Sequence, residues 1–364
     1  MNSVTPRVFI AATRQNDGKT TTSLGLLDVL QKTYPRVGYI KPVGQRFVEI
    51  DEQKIDEDTV LMDRVYRLNC PLADMSPIAV EPDFTRKYLE SSKNDQLTAR
   101  ISKAFDRVAW EKDFVLCEGS GHAGVGAVFD LSNARVAKLL RAKAIIISQG
   151  GIGKPIDEVA LNQALFEKEG VEIIGVILNK VTPAKLDHIA KFARKGLKRK
   201  GLELLGVLPH QPILSRPNME SIREVMDAKP LNSSSRQNNL VGSVVIGAMS
   251  ARNAAALLQP ATLMILPGDR TDILAAAHAH RAGSSWPAGM ILTDGIQPSR
   301  EALALIQELP WPVLSVAAHC YDAASIVHDL IVKTRPDDTE KISVIRDLIA
   351  DHVDVGAILK HLRS

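Results

Sequence analysis

The sequence predicts an α/β protein: a phosphate-loop, doubly wound parallel sheet, followed by a second, smaller α/β domain. Three observations predict it. Short apolar runs of strand length alternate with stretches of helical pattern along the chain. The first strand–helix junction carries Gly18-Lys19-Thr20. A polar, proline-bearing stretch at 209–240 then separates one set of alternating elements from another.

The first junction organises the rest. Val8–Ala12 is an apolar run long enough for one buried strand, and a leucine-rich run follows Thr20. Strand, polar turn, G-K-T and helix is the layout of a phosphate-binding loop. There the turn's N–H groups and the positive end of the helix cradle phosphate oxygens. The expected nucleotide contacts are Asn16, Asp17, Gly18, Lys19, Thr20 and Thr21. Lys19 reaches the β- and γ-phosphates, and the Thr20 hydroxyl serves Mg²⁺. The strict G-x-x-x-x-G-K-[ST] pattern would need glycine at 13, where this chain has Thr13. Starting from Ala12 gives a loop one residue longer. The plain alternative is a helix start with a solvated lysine.

Length and composition narrow the classes. The 364 residues suffice for two domains with full cores, and 24% charged with 45% apolar residues is ordinary globular composition. A net charge of +3 gives no footing for nucleic acid or membrane surface, and 4% aromatics gives few stacking platforms. Cys70, Cys117 and Cys320 are scattered without metal-ligand spacing, as expected in a reducing cytoplasm. The N-terminus has no signal-peptide core and no run reaches membrane-span length. A cytoplasmic location is expected.

Taken in order, the stretch 36–44 holds another short strand that ends in Lys41 followed by Pro42, which sets Lys41 at a carboxyl end where ligands bind in open parallel sheets. A plain surface lysine is the alternative. The acidic run 49–58 reads as a solvated loop entering a helix, with Asp56 or Asp58 either reaching Mg²⁺ or favouring the helix start. Residues 70–95 form an irregular excursion, and Gln96–Trp110 is an amphipathic helix. In the stretch 113–126 an apolar strand runs into Glu118 and then the loop G-S-G-H-A-G-V-G. Glu118 is either an Mg²⁺ ligand or a helix cap, and His122 in that loop reads as incidental. Strands at 144–148, 172–178 and 204–208 alternate with helices at 156–168 and 184–200. Asn179, at another strand end, is placed to read a purine edge. Thr182, where guanine-selective sites carry aspartate, leans towards adenine. Met219–Met226 is a short helix in the connection. Strands at 244–248, 263–266, 290–293 and 313–317 then alternate with helices from 251 to 332. His278 and His280, two apart on a helix, point different ways and are no metal pair. From Asp337 on, the chain reads as an amphipathic helical tail.

The stretches A-T-R-Q-N-D-G-K-T-T, Y-I-K-P-V-G-Q, D-E-D-T-V-L, C-E-G-S-G-H-A-G-V-G, L-S-N-A-R-V-A and G-G-I-G-K-P-I-D-E together resemble the dethiobiotin synthetase-like P-loop proteins. The form is similar to the N-terminal side of long bacterial phosphate acetyltransferases. The second set resembles the so-called DRTGG domain through G-D-R-T at 268–271 and T-D-G-I-Q-P-S at 293–299, with Asp294 where that pattern expects glycine. The resemblance implies ATP and Mg²⁺ as cofactors. It implies Lys19 and Lys41 flanking a transferring phosphoryl group, and Thr20, Asp58 and Glu118 around the metal. It implies either an ATP-dependent C–N ligase acting on a small carboxylate or carbamate, or a nucleotide or metabolite sensor. No acetyltransferase segment is expected, and the partners expected are nucleotide, an unknown small molecule and a second copy in a homodimer. The domain expectation is 1–215 for the P-loop domain, 216–240 for a linker, 241–335 for the DRTGG-like domain and 336–364 for the tail.

Overall fold

The computed structural model describes residues 2–91, 94–281 and 286–363. It divides into two compact units, one formed by 1–210 with 334–364 and the other by 211–333.

In the first unit a six-stranded sheet contains β1 (Arg7–Ala12), β2 (Val37–Ile40), β3 (Phe114–Glu118), β4 (Lys143–Gln149), β5 (Ile173–Val181) and β6 (Leu204–Pro209). The order is β6-β5-β4-β1-β3-β2, and every neighbouring pair is parallel. All six residues of β1 and all five of β3 are buried, as strands covered on both faces must be. That is why they appear in the sequence as continuous apolar runs rather than alternating ones. The carboxyl ends of β1, β2 and β3 lie side by side, so the turns after Ala12, Ile40 and Glu118 share one edge of the sheet.

Helix α1 (Lys19–Thr33) follows β1 and buries Leu24, Leu26, Leu27 and Leu30. It also holds the end of the chain. The helix Thr339–His352 packs along it, so closely that a Cβ on Gly25 would meet Ile349 at 2.2 Å and the Ile345 carbonyl at 2.9 Å. An Arg346–Asp28 ion pair at 2.8 Å ties the same two helices. This helix stops at Val353, which bridges Gly206 on the edge strand β6, and a last helix runs from Val355 to Arg363. The expected tail is thus two helices folded onto the first unit.

The acidic run 49–58 departs from the expected open loop. Phe47–Ile50 and Gln53–Asp56 form an antiparallel hairpin, and Asp51 and Glu52 take left-handed conformations at its tip. Asp56 then caps the helix Glu57–Tyr66, accepting from the Asp58 N–H at 2.9 Å.

The second unit carries β7 (Lys229–Pro230), β8 (Ser243–Ile246), β9 (Thr262–Pro267), β10 (Gly289–Thr293) and β11 (Val313–Ser315), in the order β7-β11-β10-β9-β8. All neighbours are parallel except β7 on β11. Trp311, Ile273 and Leu274 fill the core on one face of this sheet, and Met219, Ile222, Ala323 and Val327 fill the other. The stretch 216–240, expected as a linker, therefore supplies a helix and an edge strand to this unit. Asn232 shows why it is fixed. It is buried, its amide donates to the carbonyls of Ile306, Leu309 and Trp311, and its oxygen accepts from the Val313 N–H.

Candidate nucleotide site

The loop between β1 and α1 closes on itself before any ligand is considered. Asp17 is fully buried, and its Oδ2 accepts from the Thr13 hydroxyl and the Arg14 N–H, both at 2.8 Å. Thr13 in turn lies 3.0 Å from the Ser148 hydroxyl at the end of β4. The other Asp17 oxygen is buried without a hydrogen-bond partner. Gly18 turns the chain into α1 at φ +104°, a conformation glycine adopts without strain. A Cβ there would also collide with the Asn179 amide nitrogen at 2.0 Å. Glycine is required at this position twice over.

Lys19 opens the helix and is only 8% exposed. Its ammonium donates to the Gly121 carbonyl at 3.0 Å, in the glycine-rich loop after β3. Burial pushes its pKa down to about 8, against the pull of Glu118 and with a further push from Lys41. A buried cation at a helix N-terminus, held by one neutral carbonyl, is electrostatically incomplete, and an anion completes it.

Glu118 is the hub of the second half of the site. It is fully buried, and its Oε1 accepts from the Thr20 hydroxyl at 2.9 Å while its Oε2 accepts from the Tyr39 hydroxyl at 3.1 Å. It caps no helix. Burial, then the nearby Glu118, Asp58 and Asp56 charges, raise the Tyr39 phenol well above its ordinary value, so it stays a donor. Lys41 is buried too, paired with Asp58, with Asp56 Oδ1 at 3.2 Å and with Glu118 Oε1 at 3.5 Å. Burial opposes the charge on Lys41, but Asp58, Glu118 and Asp56 outweigh it and raise its pKa. Lys41 is therefore an internal counter-ion to three carboxylates, not a surface lysine at a strand end.

The structure brings together Lys19, Thr20, Lys41, Asp58 and Glu118. Among the described residues no three His, Cys, Asp or Glu side chains gather as a metal-binding group. The Thr20 hydroxyl on Glu118, with the Asp58 carboxylate linked to Glu118 through Lys41, nevertheless offers the oxygen ligands that suit Mg²⁺. This ion takes one or two protein carboxylates and draws the rest of its shell from phosphate and water. Thr21 is half-buried in the first turn of α1, and Asn16 is exposed in a left-handed conformation, its carbonyl accepting from Lys180 at 2.9 Å. Asn179 is engaged within the protein. Its amide donates to the Asp17 carbonyl at 2.8 Å and its oxygen accepts from the Lys180 N–H at 2.8 Å. In this geometry it braces the phosphate loop from behind.

Two participants escape a reading of the sequence. Tyr39 stands two residues before Lys41, a spacing that sets both on one side of an extended chain, and that period was the available signal. Asn133 donates to the carbonyls of Ser120 and His122 and accepts from the Ser120 N–H, which fixes the glycine-rich loop over Lys19. Nothing local to L-S-N announces that reach.

Residues 6–218 match the model described as AAA domain. The chain belongs to the AAA domain family. In this AAA domain chain, residues 221–330 also match the DRTGG domain. The Arg270 of G-D-R-T has a structural duty there. It donates to the Gly247 carbonyl at 2.9 Å and the Met249 carbonyl at 2.8 Å and pairs with Asp272. Curated relatives include the phosphate acetyltransferases of Nitratidesulfovibrio vulgaris (26% identity, 95% of this chain, 50% of the relative) and Pseudomonas putida (29%, 96% and 50%). The chain thus spans about half the length of the relatives it matches. Partial likenesses in solved structures include the CBS and DRTGG domains of the regulatory region of Clostridium perfringens pyrophosphatase, complexed with diadenosine tetraphosphate. That match has 18% identity over 49% of this chain and 86% of that one, at a TM-score of 0.28. Another is the MinC:MinD complex of Aquifex aeolicus, at 15% identity, 57% and 83% coverage and a TM-score of 0.37.

Proposed function

We propose that the first unit binds a nucleoside triphosphate, ATP by preference, together with Mg²⁺, and that this chain works as a nucleotide-responsive module. The observation that carries the reading is Lys19. It is a buried ammonium at the N-terminus of α1, its pKa pushed down to about 8 and its one hydrogen bond made to a carbonyl. Lys19 and the loop N–H groups would hold the β- and γ-phosphates, while Thr20, Glu118 and Asp58 would supply oxygen ligands to Mg²⁺. The metal would neutralise phosphate charge and orient the terminal phosphoryl group. The preference for ATP rests on the resemblance. A base contact from Asn179 would require giving up its two loop-bracing bonds.

Lys41 weighs against a transfer reaction in this geometry, because its charge is committed to Asp56, Asp58 and Glu118. A second reading keeps transfer: an ATP-dependent ligase acting on a small carboxylate or carbamate, favoured by the convergence of Lys19 and Lys41 on Glu118. Isothermal titration of ATP–Mg²⁺, followed by phosphate release with a pool of small carboxylates and amines, separates the two. Binding without stimulated release supports the responsive module, stimulated release supports the ligase, and no binding defeats both. A homodimer is expected under either reading.

A further inference from the structure

The net charge of +3 conceals one strongly basic element. From Lys185 to Lys200 the chain holds seven lysine and arginine residues against a single acid, Asp187, which leaves the rest of the chain slightly acidic. The helix Leu186–Lys198 fills this stretch and lies in the first unit. Its apolar stripe, Ile189, Ala193 and Leu197, is buried at four-residue intervals, which turns Lys191, Arg194, Lys195 and Lys198 to solvent. All seven cations are exposed, and among the described residues none makes a hydrogen bond or ion pair through its side chain. Such a face opposes its own helix. Lys191 and Lys195, Arg194 and Lys198, and Lys195 and Arg199 are like charges one turn apart, which destabilise each other. The helix dipole favours the cations of the last turn, but neither Lys191 in the middle nor Lys185 at the N-cap. An aromatic pair sits among these charges. Phe192 is 39% exposed, its ring centroid lies 4.8 Å from that of His188, and the Lys191 and Lys195 ammonium groups lie 6.0 and 5.8 Å from it.

We propose that this helix face binds single-stranded nucleic acid, its cations on the phosphates and the Phe192–His188 pair against an unstacked base. Cations at one-turn intervals along a rigid helix of about 20 Å form a track for a polyanion. Phosphates then supply the counter-charges that the fold withholds. The exposed ring within the track selects a strand with free bases, since every base has a face that stacks on an aromatic side chain. A duplex hides those faces. An anionic bilayer fits less well, because an interfacial helix sinks its apolar stripe into the headgroup boundary. Here that stripe is committed to the core of the first unit. The net charge argued against nucleic acid only because it averages over a chain whose basic residues are concentrated on one helix. None of these residues belongs to the nucleotide site, so the two readings stand or fall separately.

The test is fluorescence anisotropy of the full chain with labelled oligothymidylate and oligouridylate of about 20 nucleotides, longer than one footprint. Binding of at least one is expected, weakening by about tenfold or more between about 50 and about 200 mM salt. Lys191→Gln, Lys195→Gln and Lys198→Gln together should weaken it by about tenfold or more. They should also lower the slope of log affinity against log salt by about 2, the release of three fewer counterions. Phe192→Ala removes the ring and no charge. It should weaken single-strand binding by about fivefold or more and leave a duplex of the same length unaffected. Circular dichroism should be unchanged in both proteins, since all four side chains are exposed. A wild type that binds neither strand at the lower salt overturns the proposal. So does equal or tighter binding of the duplex, of polyglutamate of matched charge or of phosphatidylserine vesicles, and so do variants that bind like wild type.

Discussion

Lys19 and Lys41 lie in one site and do opposite work. Lys19 is buried with a neutral carbonyl as its hydrogen-bond partner, and burial outweighs the pull of Glu118, Asp17 and Asp58, so its proton is loosely held. Its pKa of about 8 lies below the ordinary 10.5, so between those values the unfolded chain binds more protons than the native one. The nucleotide-free protein should therefore gain stability as pH rises from about 8 to 10.5, since the penalty of burying the ammonium is lifted as it deprotonates. Nucleotide binding should restore the proton. Affinity should then fall above pH 8 by up to about tenfold per unit, with proton uptake visible as a buffer-dependent heat. Lys19→Gln should abolish that dependence. Lys41 is saturated instead, and its role was not legible beforehand, because the three carboxylates come from a hairpin, a helix start and a different strand. Lys41→Met leaves those charges buried and unpaired, which should cost about 3–5 kcal/mol in urea denaturation. Added Mg²⁺ should recover part of that loss and affect wild type less. Unchanged stability would mean that Lys41 is not the counter-ion.

Among the elements, the strands of both units were legible because their apolar runs are continuous, and α1 because G-K-T precedes a leucine-rich run. What was missed lacks a local signal. The hairpin 47–56 turns on Asp51-Glu52 in left-handed conformations, where the usual mark would be Asn-Gly or Asp-Gly. Strand β7 is two residues including a proline, acceptable only at an edge, and it reads in the sequence as a connection. The helix Thr339–His352 was legible as amphipathic, but not the surface it covers. That surface is α1, and Gly25 is the point of closest approach. Gly25→Val should destabilise the first unit by about 1–3 kcal/mol through overpacking against Ile349, read by thermal or urea unfolding. Equal stability would show that the two helices have room to separate.

For the chain as a whole, the change of character over 209–240 reads as a connection between units, whereas the compact units divide after His210 and 211–240 belongs to the second. The return of 334–364 to the first unit could not be read from the sequence, since an amphipathic pattern does not name its partner. A fragment of 211–333 should fold alone, because it contains both apolar clusters of its sheet, whereas a cut at Asn232 should unfold it by separating β7 and the Asn232 bonds from β11. Circular dichroism of the two products checks this. The claim on which the functional account turns is that a phosphate anion completes the buried Lys19. Titration of ATP–Mg²⁺ into wild type and Lys19→Gln at pH 7 and pH 9 tests it most directly. The account predicts binding to wild type that weakens at the higher pH, and roughly 10- to 100-fold weaker, pH-independent binding to the variant. Equal affinity for both proteins at both pH values would contradict it.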